Sequence, residues 1–189
     1  MTNQLPDISG LNYREDCISA AREQEALKAV DGSPWLTSLR RRTQHYGYKY
    51  DYTRRTADPA DYLGELPAWA ADLLETFRAE KLAKHEFDQL IVNEYEPGQG
   101  IAAHVDCVPC FKDTIAVVSL GSGVEMQFSR PQTSRSASLY LRPRSLRVMQ
   151  GEARYEWRHG IASRKNDVVA GTRTPRGRRV SLTFRGMRL

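Results

Sequence analysis

At 189 residues, with 40% hydrophobic and 27% charged side chains, the chain has the size and composition of one globular domain with a buried core. It contains no apolar run of about 18 residues, so no membrane-spanning helix is expected. The start, MTNQLPDISG, has neither a basic nor an apolar leader, which makes the cytoplasm the expected setting. The net charge of +5 is unevenly spread. From Arg130 onward, 15 Lys/Arg stand against Glu152, Glu156 and Asp167, leaving 13 basic and 20 acidic residues before that point. Such asymmetry predicts a polyanionic partner for the C-terminal third, against the plainer reading of a solvated basic face.

In chain order, residues 14–30 read as a modest helix with Ile18, Leu27 and Val30 on one side. Residues 39–52, LRRRTQHYGYKYDY, follow Arg40, Arg41 and Arg42 with alternating tyrosines. An extended chain would place Tyr46, Tyr48, Tyr50 and Tyr52 on one face. Aromatics beside basic residues suit a flipped or single-stranded base over a phosphate-contacting rim, with Tyr46, Tyr48 and Arg41 the first candidates. Packing of these rings on the body of the protein is the alternative. Residues 66–82 predict a second helix: Pro67 suits its first turn, and Leu66, Trp69, Leu73, Leu74 and Phe77 recur at helical spacing. After Phe87, short strands are expected near 88–95, 114–121, 124–129, 138–142, 145–150, 153–160 and 178–185. The stretch 162–178 reads as a basic loop. Helices followed by many short strands give a mainly β, α+β class, a jelly roll or small barrel with helical buttressing. One domain over 1–189 is expected, with residues 1–87 as buttress and substrate arm and 88–189 as core.

His104 and Asp106 stand two apart in HVD, on one face of an extended strand, and His159 supplies a second imidazole. Two histidines and one carboxylate are the facial triad of non-haem Fe(II) with open coordination positions; Zn(II) is the competing metal. Arg179 and Arg185, six apart in RVSLTFR, share one strand face, as do Ile91, Asn93 and Tyr95 in LIVNEY. Buried arginines need an anion, and their fork matches a carboxylate. A chelating dicarboxylate beside iron fits this pattern and implies an oxygenase; pairing of Arg185 with Asp106 is the alternative. Cys107 and Cys110 form a C-x2-C, expected here as reduced, partly buried thiols, with a zinc or redox role as the alternative.

The motifs NEYEPGQGIAAHVD, SLGS, RHGI and RVSLTFR resemble the AlkB family of Fe(II)/2-oxoglutarate dioxygenases over residues 45–189. The wording is closest to the AlkB-like domain of the tRNA wobble-uridine hydroxylases. The resemblance implies a double-stranded β-helix (jelly-roll) core with a nucleotide-recognition lid, in which His104, Asp106 and His159 ligate Fe(II). It further implies that Arg179 holds the distal carboxylate of 2-oxoglutarate, with Arg185 nearer the metal and Asn93 and Tyr95 completing the pocket. The implied reaction consumes O2, releases CO2 and succinate, and hydroxylates a C–H bond; on an N-methyl base it yields formaldehyde and the repaired base. Val108 stands where repair members often carry an acidic residue that reads the damaged base. The expected function is therefore oxidative demethylation of N-alkylated DNA or RNA by a cytoplasmic monomer. Hydroxylation of a modified tRNA base is the alternative, and a non-catalytic jelly-roll binding module is the remaining one.

Overall fold

A computed structural model describes residues 5–54 and 56–188. In chain order the elements are β1 (Leu11–Arg14), α1 (Ala20–Asp31), β2 (Thr43–Tyr46), α2 (Ala68–Ala79), β3 (Gln89–Tyr95), β4 (Ile101–His104), β5 (Phe111–Gly121) and β6 (Val124–Arg130). They continue with β7 (Arg135–Leu141), β8 (Ser145–Met149), α3 (Gly151–Tyr155), β9 (Arg158–Ile161), β10 (Asn166–Val169), β11 (Thr172–Pro175) and β12 (Arg179–Met187). The strands build a six-stranded sheet in the order β1-β8-β5-β12-β3-β2, a four-stranded sheet β4-β9-β6-β7, and the hairpin β10-β11. Every pairing is antiparallel. This is the jelly roll with helical buttressing that the sequence predicts. Among the described residues no helix is long and apolar enough to cross a membrane.

Period-two alternation sorts each central strand between two different environments. On β12, Val180, Leu182 and Phe184 join Ala116, Val118 and Leu120 of β5 and Leu90 and Val92 of β3 under α1 and α2. The opposite face of β12 carries Arg179, Ser181, Thr183 and Arg185 into the space between the sheets. A second apolar cluster fills the rest of that space, with Ile115, Val117 and Met149 meeting Val124, Met126, Phe128, Leu139 and Leu141.

Three local expectations are corrected. The helix expected over 14–30 begins only after Ser19, whose hydroxyl accepts from the Arg22 N–H at 3.2 Å as an N-cap, while Leu11–Arg14 pairs with β8. The strand expected over 153–160 is split, because Gly151 adopts φ +48° and starts the short helix α3 before β9. The loop expected over 162–178 is a hairpin turning at Ala170 and Gly171, both in the left-handed region, as a two-residue type I′ turn requires. Buried Asp167 ties it down through Arg176 (2.7 Å) and Arg164 (2.8 Å).

The charge asymmetry also has a structural cause. Arg142 pairs with Glu15, Arg144 with Asp16 and Glu23, and Arg178 with Asp31 and Glu94, so C-terminal cations are spent on N-terminal acids. Arg147, Arg154, Arg176, Arg179 and Arg185 are buried. Part of the C-terminal excess is therefore internal or already paired, while Arg135, Arg158, Lys165, Arg173 and Arg188 stay exposed.

Gly47 ends β2 at φ +76°, where a Cβ would meet the Asp88 carbonyl oxygen at 1.8 Å, so only glycine allows the chain to fold back there. The arm that follows is held by His45, whose Nδ1 accepts from the Tyr50 N–H at 3.1 Å. Burial, then the charges of Arg185, Lys49 and Arg41, lower the His45 pKa from 6.5 to about 4.

Two outcomes follow from this packing. Phe184, fully buried and edge-on to Phe77 at 5.3 Å, is expected to cost about 3–5 kcal/mol on Phe184→Ala, read by urea denaturation. Because the unfolded chain protonates His45 more readily than the folded one, stability is fully present above pH 6.5 and declines as pH falls towards about 4. His45→Gln is expected to flatten that part of the stability–pH curve; an unchanged curve would remove His45 as its source.

Candidate active site

His104 and His159 are brought opposite each other by the β4–β9 pairing. Gly160 permits that approach: a Cβ there would lie 2.9 Å from the Ala103 Cα. Asp106 is not on β4, as its spacing from His104 predicts, but in the loop just past the strand's end. Arg154 on α3 fixes that loop by donating to the carbonyl oxygens of Asp106 (2.9 Å) and Cys107 (3.1 Å). The ligand atoms of His104, Asp106 and His159 lie within 4.8 Å of one another.

The two carboxylate oxygens of Asp106 have different surroundings. Oδ1 accepts from Arg185 Nη2 at 2.5 Å, and Oδ2 lies 3.6 Å from His159 Nε2. Burial raises the Asp106 pKa, but the Arg185 guanidinium, foremost among the lowering charges, holds the group well below the usual carboxylate range. His159 is kept neutral chiefly by burial, then by the charge of Arg147. His104 places Nδ1 2.8 Å from the Ala102 carbonyl oxygen, an arrangement that assigns the proton to Nδ1 and leaves Nε2 free to ligate. A deprotonated carboxylate and two imidazoles with available lone pairs are a donor set suited to Fe(II), with room for exchangeable ligands.

These groups open onto a cavity of about 610 Å³, whose wall includes Asn93, Tyr95, Arg179 and Arg185. Tyr95 and Arg179 are register partners on β3 and β12, with the guanidinium 5.5 Å from the ring centre. Arg179 donates to Ser119 Oγ at 2.9 Å, and burial lowers its pKa to about 10. Its Nε and those of Arg147 and Arg185 are buried with no hydrogen-bond partner among the described residues. Unsatisfied donors around a cavity fit an oxygen-rich anion such as 2-oxoglutarate.

Of the predicted substrate residues, Arg41 and Val108 line the cavity, but Tyr46 and Tyr48 do not. The turn at Gly47 breaks the alternation. Tyr46 packs edge-on to Trp69 at 6.0 Å, and Tyr48 against Tyr62 at 4.9 Å. Tyr50 and Tyr52, 5.1 Å apart, are the tyrosines of the arm that reach the cavity wall. Arg42, expected at a phosphate rim, instead pairs with buried Glu94 at 2.5 Å, while Arg41 donates to Asn93 Oδ1 at 3.0 Å and so ties the arm to β3. The expected reduced thiols are corrected as well: Cys107 and Cys110 are joined in a disulfide across a turn that brings their Cα atoms to 5.3 Å.

Arg147 and Arg154 were not singled out from sequence. Arg147 carries the same signal that marks Arg179, an arginine between apolar neighbours on a central strand. Arg154 lies in a segment read as a strand, where its inward direction was not legible.

The 2OG-Fe(II) oxygenase superfamily profile matches residues 19–185. Among curated relatives, the Mus musculus tRNA (carboxymethyluridine(34)-5-O)-methyltransferase ALKBH8 is 38% identical over 203 residues, covering 95% of this chain and 30% of the relative. The Danio rerio probable RNA/DNA demethylase ALKBH6 is 30% identical over 203 residues, covering 92% and 83%. The chain thus spans less than a third of the mouse relative but most of the zebrafish one. Among solved structures, OsALKBH1 superposes with a TM-score of 0.69 over 97% of this chain and 99% of that one, at 16% identity. Triad, arginine-lined cavity, jelly roll and these similarities together show that the chain belongs to the AlkB-like 2OG-Fe(II) oxygenases, enzymes that use Fe(II), 2-oxoglutarate and O2.

Proposed function

We propose that the chain oxidises a base of a nucleic acid, removing an N-methyl group from a base that carries no positive charge. The observation that carries this reading is that one cavity contains both the triad and the arm bearing Arg41, Tyr50 and Tyr52. Its volume, about 610 Å³, lies inside the range of about 300–1,000 Å³ typical of ligand pockets, so a planar base has space beside the co-substrate. The edge-to-face pair Tyr50 and Tyr52 offers aromatic surface against which an unstacked base can lie without sequence preference. The names of the mouse and zebrafish relatives, which refer to tRNA and to RNA/DNA demethylation, support a nucleic-acid substrate.

His104, Asp106 and His159 would hold the iron, and Arg179 with Tyr95 and Asn93 would bind 2-oxoglutarate. Bound together with O2, these supply the oxidant that inserts oxygen into a C–H bond, with succinate and CO2 as products. A hydroxylated N-methyl group then loses formaldehyde. Arg185 is a positioning residue: it neutralises Asp106 and fixes the direction of its free oxygen. The arm, held by His45 and Arg41, orients the base and limits water at the cavity mouth.

Electrostatics narrows the substrate. Adenine methylated at N1 and cytosine methylated at N3 are cations at neutral pH. Asp106 is the carboxylate on the described cavity wall, and Arg185 already engages it; Arg41 and Val108 occupy the base side. A cationic base would meet like charge with no anion to receive it, whereas a neutral N-methyl base would not. Hydroxylation of a modified tRNA uridine, also uncharged in the ring, is the second reading, favoured by the 38% identity to the mouse ALKBH8.

His104→Ala is expected to remove Fe(II)-dependent thermal stabilisation and to reduce succinate formation to background while the half-buried site stays folded. Asp106→Ala would in addition leave Arg185 buried and unpaired, costing about 3–5 kcal/mol by denaturant titration. Turnover of oligonucleotides bearing N6-methyladenine, oligonucleotides bearing 1-methyladenine, and bulk tRNA is to be compared by mass spectrometry. Formaldehyde is expected from the neutral N-methyl base, at least about tenfold faster than from the cationic one, a difference of about 1.4 kcal/mol in the barrier. Preference for the cationic base would sink the charge argument; succinate formation unstimulated by any nucleic acid would sink the substrate class.

A further inference from the structure

The bridge between Cys107 and Cys110 has no part in the chemistry assigned to the cavity. It closes the segment CVPC directly after Asp106, with Val108 and Pro109 between the two sulfurs. Disulfides stabilise a fold mainly by restraining the unfolded chain, and they do so more as the closed loop lengthens. A bridge over a sequence separation of 3 joins no distant strands and is a weak staple of this kind. Its position is also unlike that of a structural bridge. Cys110 is buried, but Cys107 is half-buried and lines the cavity together with His104 and Asp106. A small thiol that enters the cavity therefore has access to Cys107 Sγ, and bridges exposed in this way are the ones that exchange readily.

The other restraints on this loop show what the bridge controls. Arg154 holds the carbonyl oxygens of Asp106 and Cys107, and Arg185 holds the Asp106 carboxylate, none of them through a sulfur. At the far end, the Cys110 carbonyl oxygen accepts from the Arg188 N–H at 2.8 Å. Within the segment, the Phe111 N–H reaches the Cys107 carbonyl oxygen at 3.3 Å, a long bond. Val108 and Pro109 make no hydrogen bond among the described residues; both are exposed and line the cavity. Breaking the bridge therefore leaves the metal ligands held and frees the two residues at the cavity mouth.

We infer that Cys107 and Cys110 are a reversible thiol–disulfide site, exchanging with small-molecule thiols, whose bridged form presets the cavity mouth for the nucleic acid. In reduction, an external thiolate attacks Cys107 Sγ, the S–S bond breaks, and its electron pair leaves on Cys110 Sγ, which takes a proton. A second external thiol attacks the outer sulfur of the mixed disulfide and releases the Cys107 thiol. Two external thiols are thus oxidised to one disulfide while the protein pair gains two electrons and two protons. Oxidised glutathione drives the reverse. The effect on substrate rests on the reading that a base enters beside Val108; the exchange itself does not. A preset mouth spares the ordering of Val108 and Pro109 when a strand binds, so the bridged form is the tighter binder.

The exchange is tested on the full wild-type chain equilibrated with reduced and oxidised glutathione in varied ratio, then denatured, alkylated and measured by mass spectrometry. The bridged chain is expected to take one alkyl group, on Cys17, and the reduced chain 3, with both forms present across the ratios. The same adduct count at every ratio would overturn the exchange. Each form, freed of glutathione, is then titrated anaerobically with Fe(II) and 2-oxoglutarate bound, by fluorescence anisotropy of a single-stranded oligonucleotide bearing N6-methyladenine. The reduced chain is expected to bind it about tenfold more weakly, with Fe(II)-dependent thermal stabilisation unchanged. Cys107→Ser combined with Cys110→Ser is expected to match the reduced chain and to ignore glutathione; reduced wild type supplies the comparison if that variant does not fold. Affinities within about twofold in the two forms, or Fe(II) stabilisation lost on reduction, would overturn the effect on the mouth. Oligonucleotide binding absent from both forms would remove the nucleic-acid reading and the mouth effect that rests on it, leaving the exchange site standing.

Discussion

The contact on which the rest of the site depends is the ion pair between Asp106 and Arg185. It joins the loop after β4, on the smaller sheet, to β12 at the centre of the larger one. One carboxylate oxygen is spent on Arg185, and the other is left beside His159. Burial alone would favour the protonated acid, which is a poor metal ligand, and the guanidinium reverses that preference. Arg154 then holds the same loop from below by its backbone carbonyls, and the Cys107–Cys110 bridge closes the turn that follows. The position of a single acid is thus determined by groups from β12, α3 and its own loop.

The same strand that supplies Arg185 also supplies the reason a cavity exists. β12 places leucine, valine and phenylalanine against the helices and arginine, serine and threonine against the smaller sheet. Buried guanidinium groups prevent the two sheets from closing on an apolar seam at that level, while Ile115, Val117 and Met149 close it elsewhere. Alternation along one strand thereby produces a packed core and a polar chamber less than one strand width apart. Each buried arginine is individually costly, and the chamber is stable as a place for an anion.

Arginine serves a second, unrelated purpose in the C-terminal third. Arg142, Arg144 and Arg178 reach back to acids near the N-terminus, and Arg164 and Arg176 bracket Asp167. The exposed pairs among these, such as Arg142 with Glu15, contribute little each, whereas Arg176–Asp167 is buried. Their effect on interpretation is larger: net charge counted along the chain describes which segments pair with which, and only after pairing does it describe what the surface presents. Of the arginines expected at the rim, Arg40 and Arg42 are exposed, as is Lys49 on the arm.

What could be read before folding was whatever depends on short periods. The parity of Arg179 with Arg185 and of Asn93 with Tyr95 held because both pairs lie inside uninterrupted strands, where alternate side chains must share a face. The helix over 66–82 and most strands after Phe87 were legible for the same reason, since their apolar periodicity is set by one continuous packing face. Parity failed at Asp106, at the tyrosine arm and over 153–160, because a strand end, Gly47 and Gly151 interrupt the extended chain. The sequence by itself determined the donor types, the strand faces and the family's chemistry. Tertiary structure alone decided that Tyr50 and Tyr52, not Tyr46 and Tyr48, face the cavity and that the C-x2-C is bridged. Those outcomes rest on backbone reversals and on contacts between distant strands, and no local period carries them.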